Sequence, residues 1–235
     1  MRNDVIEIVQ DVAAGIPALR PARPPATLDE LVRVFRAVDE PLVGALRARL
    51  PEGRWVLDAV DGAVQFLQGL PQWCVTATLV RDGEPVLAVL HSPLLGETYS
   101  AERGGGAWRD GAPVGPSRKT DLSAAVVATS QPPAFPPQPA ANALAGRKLP
   151  GVLDRVAAVR NLGPTSWQVA DVAAGRLDLF WEYGQDAENL LGASLVAREA
   201  GAVVTAADGS PWHAGAPSFL AAGPGLHAAA VRVLG

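Results

Sequence analysis

The stretch WVLDAVDGAVQF, residues 55–66, closes an apolar run with two aspartates three positions apart, Asp58 and Asp61, and then Gly62. Paired carboxylates at that spacing can offer oxygens to a hard divalent cation, which asks for near-octahedral oxygen ligation. They can equally act as an acid–base couple, since neighbouring acids in a dry pocket raise one another's pKa and one stays protonated. More acids follow downstream: Glu182 ends the strand-like RLDLFWE, and Asp186 and Glu188 precede the apolar run NLLGASLV. His91, His213 and His227 have no ligand-like spacing, which argues against a histidine metal centre. Cys74 lies inside WCVTATLV and reads as a buried small hydrophobe. No nucleophile elbow, Walker loop or dinucleotide fingerprint is present.

These acids need elements to hold them. VIEIVQDVA (residues 5–13) has helical spacing, and TLDE (residues 27–30) reads as a capping box opening an amphipathic helix with Leu28, Leu31, Phe35, Val38, Leu42 and Leu46 on one face. Pro41 either kinks that helix or opens a second one. From Trp55 the texture turns to short strands, WVLDAV, WCVTATLV, PVLAVLHS and GETYSAE, with Asp-Gly turns at RDGE and WRDGA; this is an antiparallel meander. QPPAFPPQPAANALAG is expected to be a surface loop, while SWQVADVAAG and AENLLGASLVAREAG carry helical spacing on either side of a strand. The expected organisation is one domain of two packed halves, about 1–120 and about 121–235, in an α+β architecture.

Composition limits the partners. The 235 residues are 49% hydrophobic, carry a formal net charge of -4 with acids and bases interspersed, and include a single cysteine, so neither a nucleic-acid footprint nor a disulfide framework within the chain is expected. No apolar stretch reaches the roughly 18–20 residues of a membrane span, and a cytoplasmic protein with no membrane partner is expected.

The chain resembles the inositol monophosphatase superfamily, magnesium-dependent sugar-phosphate phosphatases with a layered αβαβα fold. WVLDAVDGAVQFLQGLPQWCVTATLV looks like the family's W-x-x-D-P-I-D-G-T-x-N-F segment and the strand after it, and GGGAWRDGAPV is similar to its G-x-G-A-x-x-N-G turn. VRNLGPTSWQVADVAAGRLDLFWE matches the segment leading to a substrate-contacting glutamate, here Glu182, and LLGASLVAREAG resembles the A-A-G-x-L-x-V-x-E-A-G-G segment. The resemblance implies that Asp58 and Asp61 are metal ligands, that the Gly62 backbone N–H meets phosphate, and that the family aspartate near the last motif falls at Glu188, or at Asp186 if the preceding loop shifts. It also implies a homodimer and a small-molecule substrate.

Several family positions differ. The threonine after the glycine is Ala63, the upstream G-E-E motif is absent with Glu52 as the one nearby acid, and the T-x-A-D motif aligns with Val32 and Phe35. Together with Thr165, Trp167, Trp181 and Tyr183 on the expected substrate side, these changes give the expectation of a dismantled metal centre. The pocket would be lined by Phe35, Gly62, Ala63, Thr165, Trp167, Trp181, Tyr183 and Asp186, with Asp58, Asp61, Glu182 and Glu188 as catalytic acids. On that reading the chain is a metal-independent biosynthetic enzyme, with no cofactor, that cyclises, dehydrates or isomerises a partly apolar substrate. The alternatives are a magnesium phosphomonoesterase with Asp58, Asp61 and Glu188 as metal ligands, or a non-catalytic binding protein.

Overall fold

The computed structural model describes residues 1–133 and 136–235. Two helices come first, α1 (Arg2–Ala14) and α2 (Leu28–Arg49). The capping box forms: the Thr27 hydroxyl accepts from the Glu30 N–H at 3.2 Å, and Glu30 reaches back to the Ala26 N–H at 2.9 Å. α2 runs through Pro41 as one helix, which answers the choice that Pro41 left open.

A six-stranded antiparallel meander follows in chain order: β1 (Arg54–Asp61), β2 (Cys74–Arg81), β3 (Glu84–Ser92), β4 (Glu97–Glu102), β5 (Gly106–Arg109) and β6 (Ala112–Pro113). A short helix, α3 (Ala63–Gln68), sits between β1 and β2. The β2–β3 turn places Asp82 at φ 53° and Gly83 at φ 80°, the two left-handed residues that a tight hairpin matched to strand twist requires.

The second sheet has the order β10-β11-β9-β7-β8, from β7 (Val126–Thr129), β8 (Ala158–Arg160), β9 (Leu179–Tyr183), β10 (Val203–Thr205) and β11 (Ser218–Ala222). Its helices are α4 (Pro139–Leu153), α5 (Thr165–Ala173), α6 (Ala187–Glu199) and α7 (Pro224–Leu234). α4 corrects the expected Pro- and Ala-rich loop. Pro139 stands in the first turn, where a missing N–H costs nothing, and the alanines that follow are strong helix formers. Ala134 and Phe135 of that stretch lie outside the described residues.

The layers are α1 and α2, the meander, α5 and α6, the second sheet, then α4 and α7, as the αβαβα resemblance implies. The middle layer carries the largest buried cluster, with Cys74, Ala88 and Leu90 from the meander facing Val169, Val172 and Leu195 of the helices and Phe180 and Phe219 of the second sheet. Among the described residues no helix is long and apolar enough to cross a membrane.

Candidate active site

Asp58 and Asp61 should point to opposite faces of β1, because side chains alternate along a strand and the two are an odd number of residues apart. A β-bulge prevents this. Asp58 pairs with Thr76 and Asp61 with Cys74, so three steps on β1 match two on β2. Trp55, Leu57, Ala59 and Val60 all pack outward against the α1–α2 side, whereas Val56 and the Asp61 partner Cys74 belong to the inner cluster. The extra residue therefore turns Asp61 inward, to the same side as Asp58.

Bulging leaves backbone donors without ladder partners, and aspartates take them. The Asp58 carboxylate accepts from the Val60 N–H at 2.9 Å, and Asp39, from the middle of α2, accepts from the Ala59 N–H at 3.2 Å. Asp39 was missing from the sequence-based set. Its signal, an aspartate midway along an amphipathic helix, cannot be told from a solvated acid without the bulge it serves.

Right after Asp61 the chain must turn into α3, and Gly62 does so at φ 96°. A side chain there would also come within 3.1 Å of the Gln72 carbonyl oxygen and the Trp73 Cβ. Both the conformation and the space demand glycine.

The second half supplies the other wall. Glu182 stands on β9, fully buried, and accepts from the Thr165 hydroxyl at 3.2 Å, while its other carboxylate oxygen has no hydrogen-bond partner. The Ser166 hydroxyl, next along α5, donates to Asp61, and the Cys74 thiol lies 3.4 Å from that hydroxyl. Asp186 caps the start of α6, buried, and accepts from the Asn189 amide at 2.7 Å. The ends of β1 and β9 and the starts of α5 and α6 thus converge, so the positive ends of two helix dipoles face the acids.

Electrostatics reveal what the acids lack. Burial pushes Asp61 up to about 7, against the opposing Ser166 hydroxyl bond, with Asp186 adding to the rise. Burial likewise lifts Asp186 to about 6. Asp58 is raised well above the usual carboxylate range by burial, then by Asp61 and Asp39, and Glu182 by burial and then by Asp186. None of the ion pairs among the described residues involves any of these four.

The remaining expected residues divide. Thr165 and Asp186 join the site. Glu188 is exposed in the first turn of α6, its charge felt by Asp58 and Asp186, and buried Asp186 holds the inward position beside it. Trp181 and Tyr183 are corrected: they flank Glu182 on a strand and so face the other way, into the cluster against α4 and α7, where the Tyr183 hydroxyl donates to the Leu234 carbonyl at 2.6 Å. Trp167 is also core, edge-on to Tyr99 with ring centroids 5.0 Å apart. Phe35 packs on the outer α1–α2 cluster, Val32 lies about one turn earlier on the same helix, and Ala63 opens α3 without a polar group. Glu52 cannot join the site, because it precedes β1 and the strand from Arg54 carries the chain away from it to Asp58 at ~3.3 Å per residue. No aromatic pocket forms from these residues.

Magnesium fits the donor set by charge. Four clustered carboxylates with no basic partner, one with an orphaned buried oxygen, are arranged as if to face a cation. Among the described residues no three Asp, Glu, His or Cys side chains already converge as a ligand cage. Magnesium does not need one, since it usually keeps several waters and takes one or two carboxylates together with substrate phosphate.

Comparison with known proteins bears on the same point. The profile of the Inositol monophosphatase family matches residues 27–234. An inositol-1-monophosphatase of Mesorhizobium japonicum is 35% identical over 166 residues, 71% of this chain and 61% of the relative. One of Rhizobium meliloti is 37% identical over 164 residues, 66% of this chain and 58% of the relative. The match thus spans about three fifths of these relatives' length. Mycobacterium tuberculosis SuhB has a TM-score of 0.82 at 26% identity, covering 99% of this chain and 94% of its own. The extragenic suppressor protein suhB of Bartonella henselae has a TM-score of 0.83 at 23% identity, covering 99% and 98%. These findings overturn the expectation of a metal-independent biosynthetic enzyme, because the similar sequences are named as phosphatases and the aromatic residues that suggested an apolar pocket are core. The chain belongs to the inositol monophosphatase family.

Proposed function

We propose that this family member is a magnesium-dependent phosphomonoesterase acting on a small polyol or cyclitol phosphate. The single observation that carries the reading is the inward pair Asp58 and Asp61, turned to one side by the bulge and joined by Asp186 and Glu182 with no basic side chain to neutralise them. Asp58 and Asp61, with Asp186 nearby, would hold the cation together with water and substrate phosphate. Bound there, magnesium would supply Lewis-acid stabilisation of phosphate charge.

The chain's own groups do the rest. Glu182, one oxygen held by Thr165 and the other without a partner, is placed to accept a hydrogen bond from a substrate hydroxyl. A site built to bond a hydroxyl rejects analogues lacking it strongly, because its own buried polar atom would be left unpaired. Asp39 and Asp58 accept from the bulge N–H groups and so brace the backbone that carries the two inward aspartates. Ala63 contributes no hydroxyl, so proton handling falls to the carboxylates.

Phosphate release from inositol 1-phosphate, measured with and without magnesium, tests the reading. Magnesium-dependent hydrolysis that is lost on chelation is the expected result. Absence of hydrolysis across a panel of polyol, cyclitol and sugar monophosphates at saturating magnesium would overturn it.

A further inference from the structure

The first turn of α5 holds two adjacent hydroxyls, and each is spent on an acid from a different sheet. Thr165 donates to Glu182 of the second sheet at 3.2 Å, and Ser166 donates to Asp61 of the meander. All four residues are buried. The contacts join positions 17 and 105 residues apart in the chain, so one rigid helical turn sets the spacing between the end of β1 and β9. We propose that Thr165 and Ser166 are paired positioning residues with separate tasks: Ser166 orients Asp61 for the cation, and Thr165 orients Glu182 for the substrate hydroxyl. The inference rests on the phosphatase reading above.

Chemistry separates the two tasks. A hydroxyl donating to a carboxylate is a charge-assisted bond that fixes one oxygen and orients the other. Asp61 has a second contact behind it, because Cys74 sits 3.4 Å from the Ser166 oxygen and 3.9 Å from the Asp61 carboxylate, closing the apolar side of the bond. Glu182 instead keeps its other oxygen without a partner, which is what a group waiting for substrate requires. Groups that orient metal ligands typically govern about 10–100-fold in metal affinity.

The test measures magnesium binding to the metal-stripped protein by calorimetry, separately from KM for inositol 1-phosphate at saturating magnesium, with thermal unfolding as the folding check. Ser166→Ala is expected to weaken magnesium binding by about tenfold or more with KM little changed, and Ser166→Thr to restore it. Thr165→Val is expected to raise KM severalfold with magnesium affinity unchanged, and Thr165→Ser to restore it. Should Ser166→Ala fail to fold, Ser166→Cys, which keeps the volume with a weaker donor, is expected to show the same loss in smaller degree. A Ser166→Ala protein that binds magnesium as the wild type does, a Thr165→Val protein with unchanged KM, or variants that shift both readouts together without rescue, would overturn the division of tasks. A wild-type chain that neither binds magnesium nor releases phosphate would sink the phosphatase reading itself.

Discussion

Two groups of buried acids tie α5 to its surroundings, and they are built differently. Near the far end of α5, Asp171 accepts from the Tyr99 hydroxyl at 2.9 Å and lies 3.1 Å from Arg176, which also pairs with Glu97 at 2.6 Å. Burial raises Asp171, but the Arg176 charge opposes it. At the near end, Asp61, Glu182 and Asp186 are raised chiefly by burial, Asp61 and Glu182 also by the Asp186 charge, and among the described residues no basic side chain pairs with any of them. The neutralised group is complete as folded. The other is left with charge that no side chain answers, which is an expense a fold sustains where a ligand is to supply the answer.

Asp61→Asn should break the contrast most severely. It removes the charge but keeps the shape, and phosphatase activity is expected to fall at least about a hundredfold, as for loss of an electrostatic catalytic group. Thermal stability should hold or rise, since a buried unpaired acid is gone.

The next effect is in pH. Asp61 titrates at about 7 in the folded metal-free chain against 3.8 for its ordinary value, so the folded chain holds the proton more tightly than the unfolded one. The stability this contributes is full below the unfolded value and is lost as pH rises through about 7. Asp186, raised to about 6, acts in the same direction. Melting temperatures of the metal-free protein should therefore fall as pH rises from 5 and level off above about 7. Saturating magnesium should flatten the trend, because binding favours the ionised acids.

Arg176→Met sharpens the comparison from the other side. With the arginine partly exposed, the loss is expected at about 1–2 kcal/mol, between the values for surface and buried pairs, seen in urea unfolding. KM for magnesium should not move. The smallest effect belongs to Glu52→Ala, expected to leave both activity and stability within error, since Glu52 stands at the wrong end of β1.

The fold was legible where local signals agreed: the Thr27 capping box, the Asp-Gly hairpin at residues 82–83 and the run of antiparallel strands all form as read. α4 was not, because prolines at the first turn of a helix and prolines in a loop look alike until the alanines after them find a sheet to cover. In the site, Asp58, Asp61 and Glu182 could be picked out by resemblance, but the bulge that makes the two aspartates neighbours depends on pairing with β2 and has no mark in the sequence. Asp39, Ser166 and Asn189 were invisible for the same reason: each matters through a partner distant in the chain or through a turn formed only on folding. Trp181 and Tyr183 carry the opposite lesson. Strand alternation alone, applied to residues on either side of Glu182, assigns them to the other face of the sheet.

The most direct measurement is calorimetric titration of magnesium into the metal-stripped wild type and Asp61→Asn proteins at pH 7.5, roughly half a unit above the value at which Asp61 titrates. Saturable binding to the wild type, with proton release and loss of binding in the variant, is the result this account predicts. A wild type that takes up no magnesium at millimolar concentration, or a variant that binds it equally well, would contradict it.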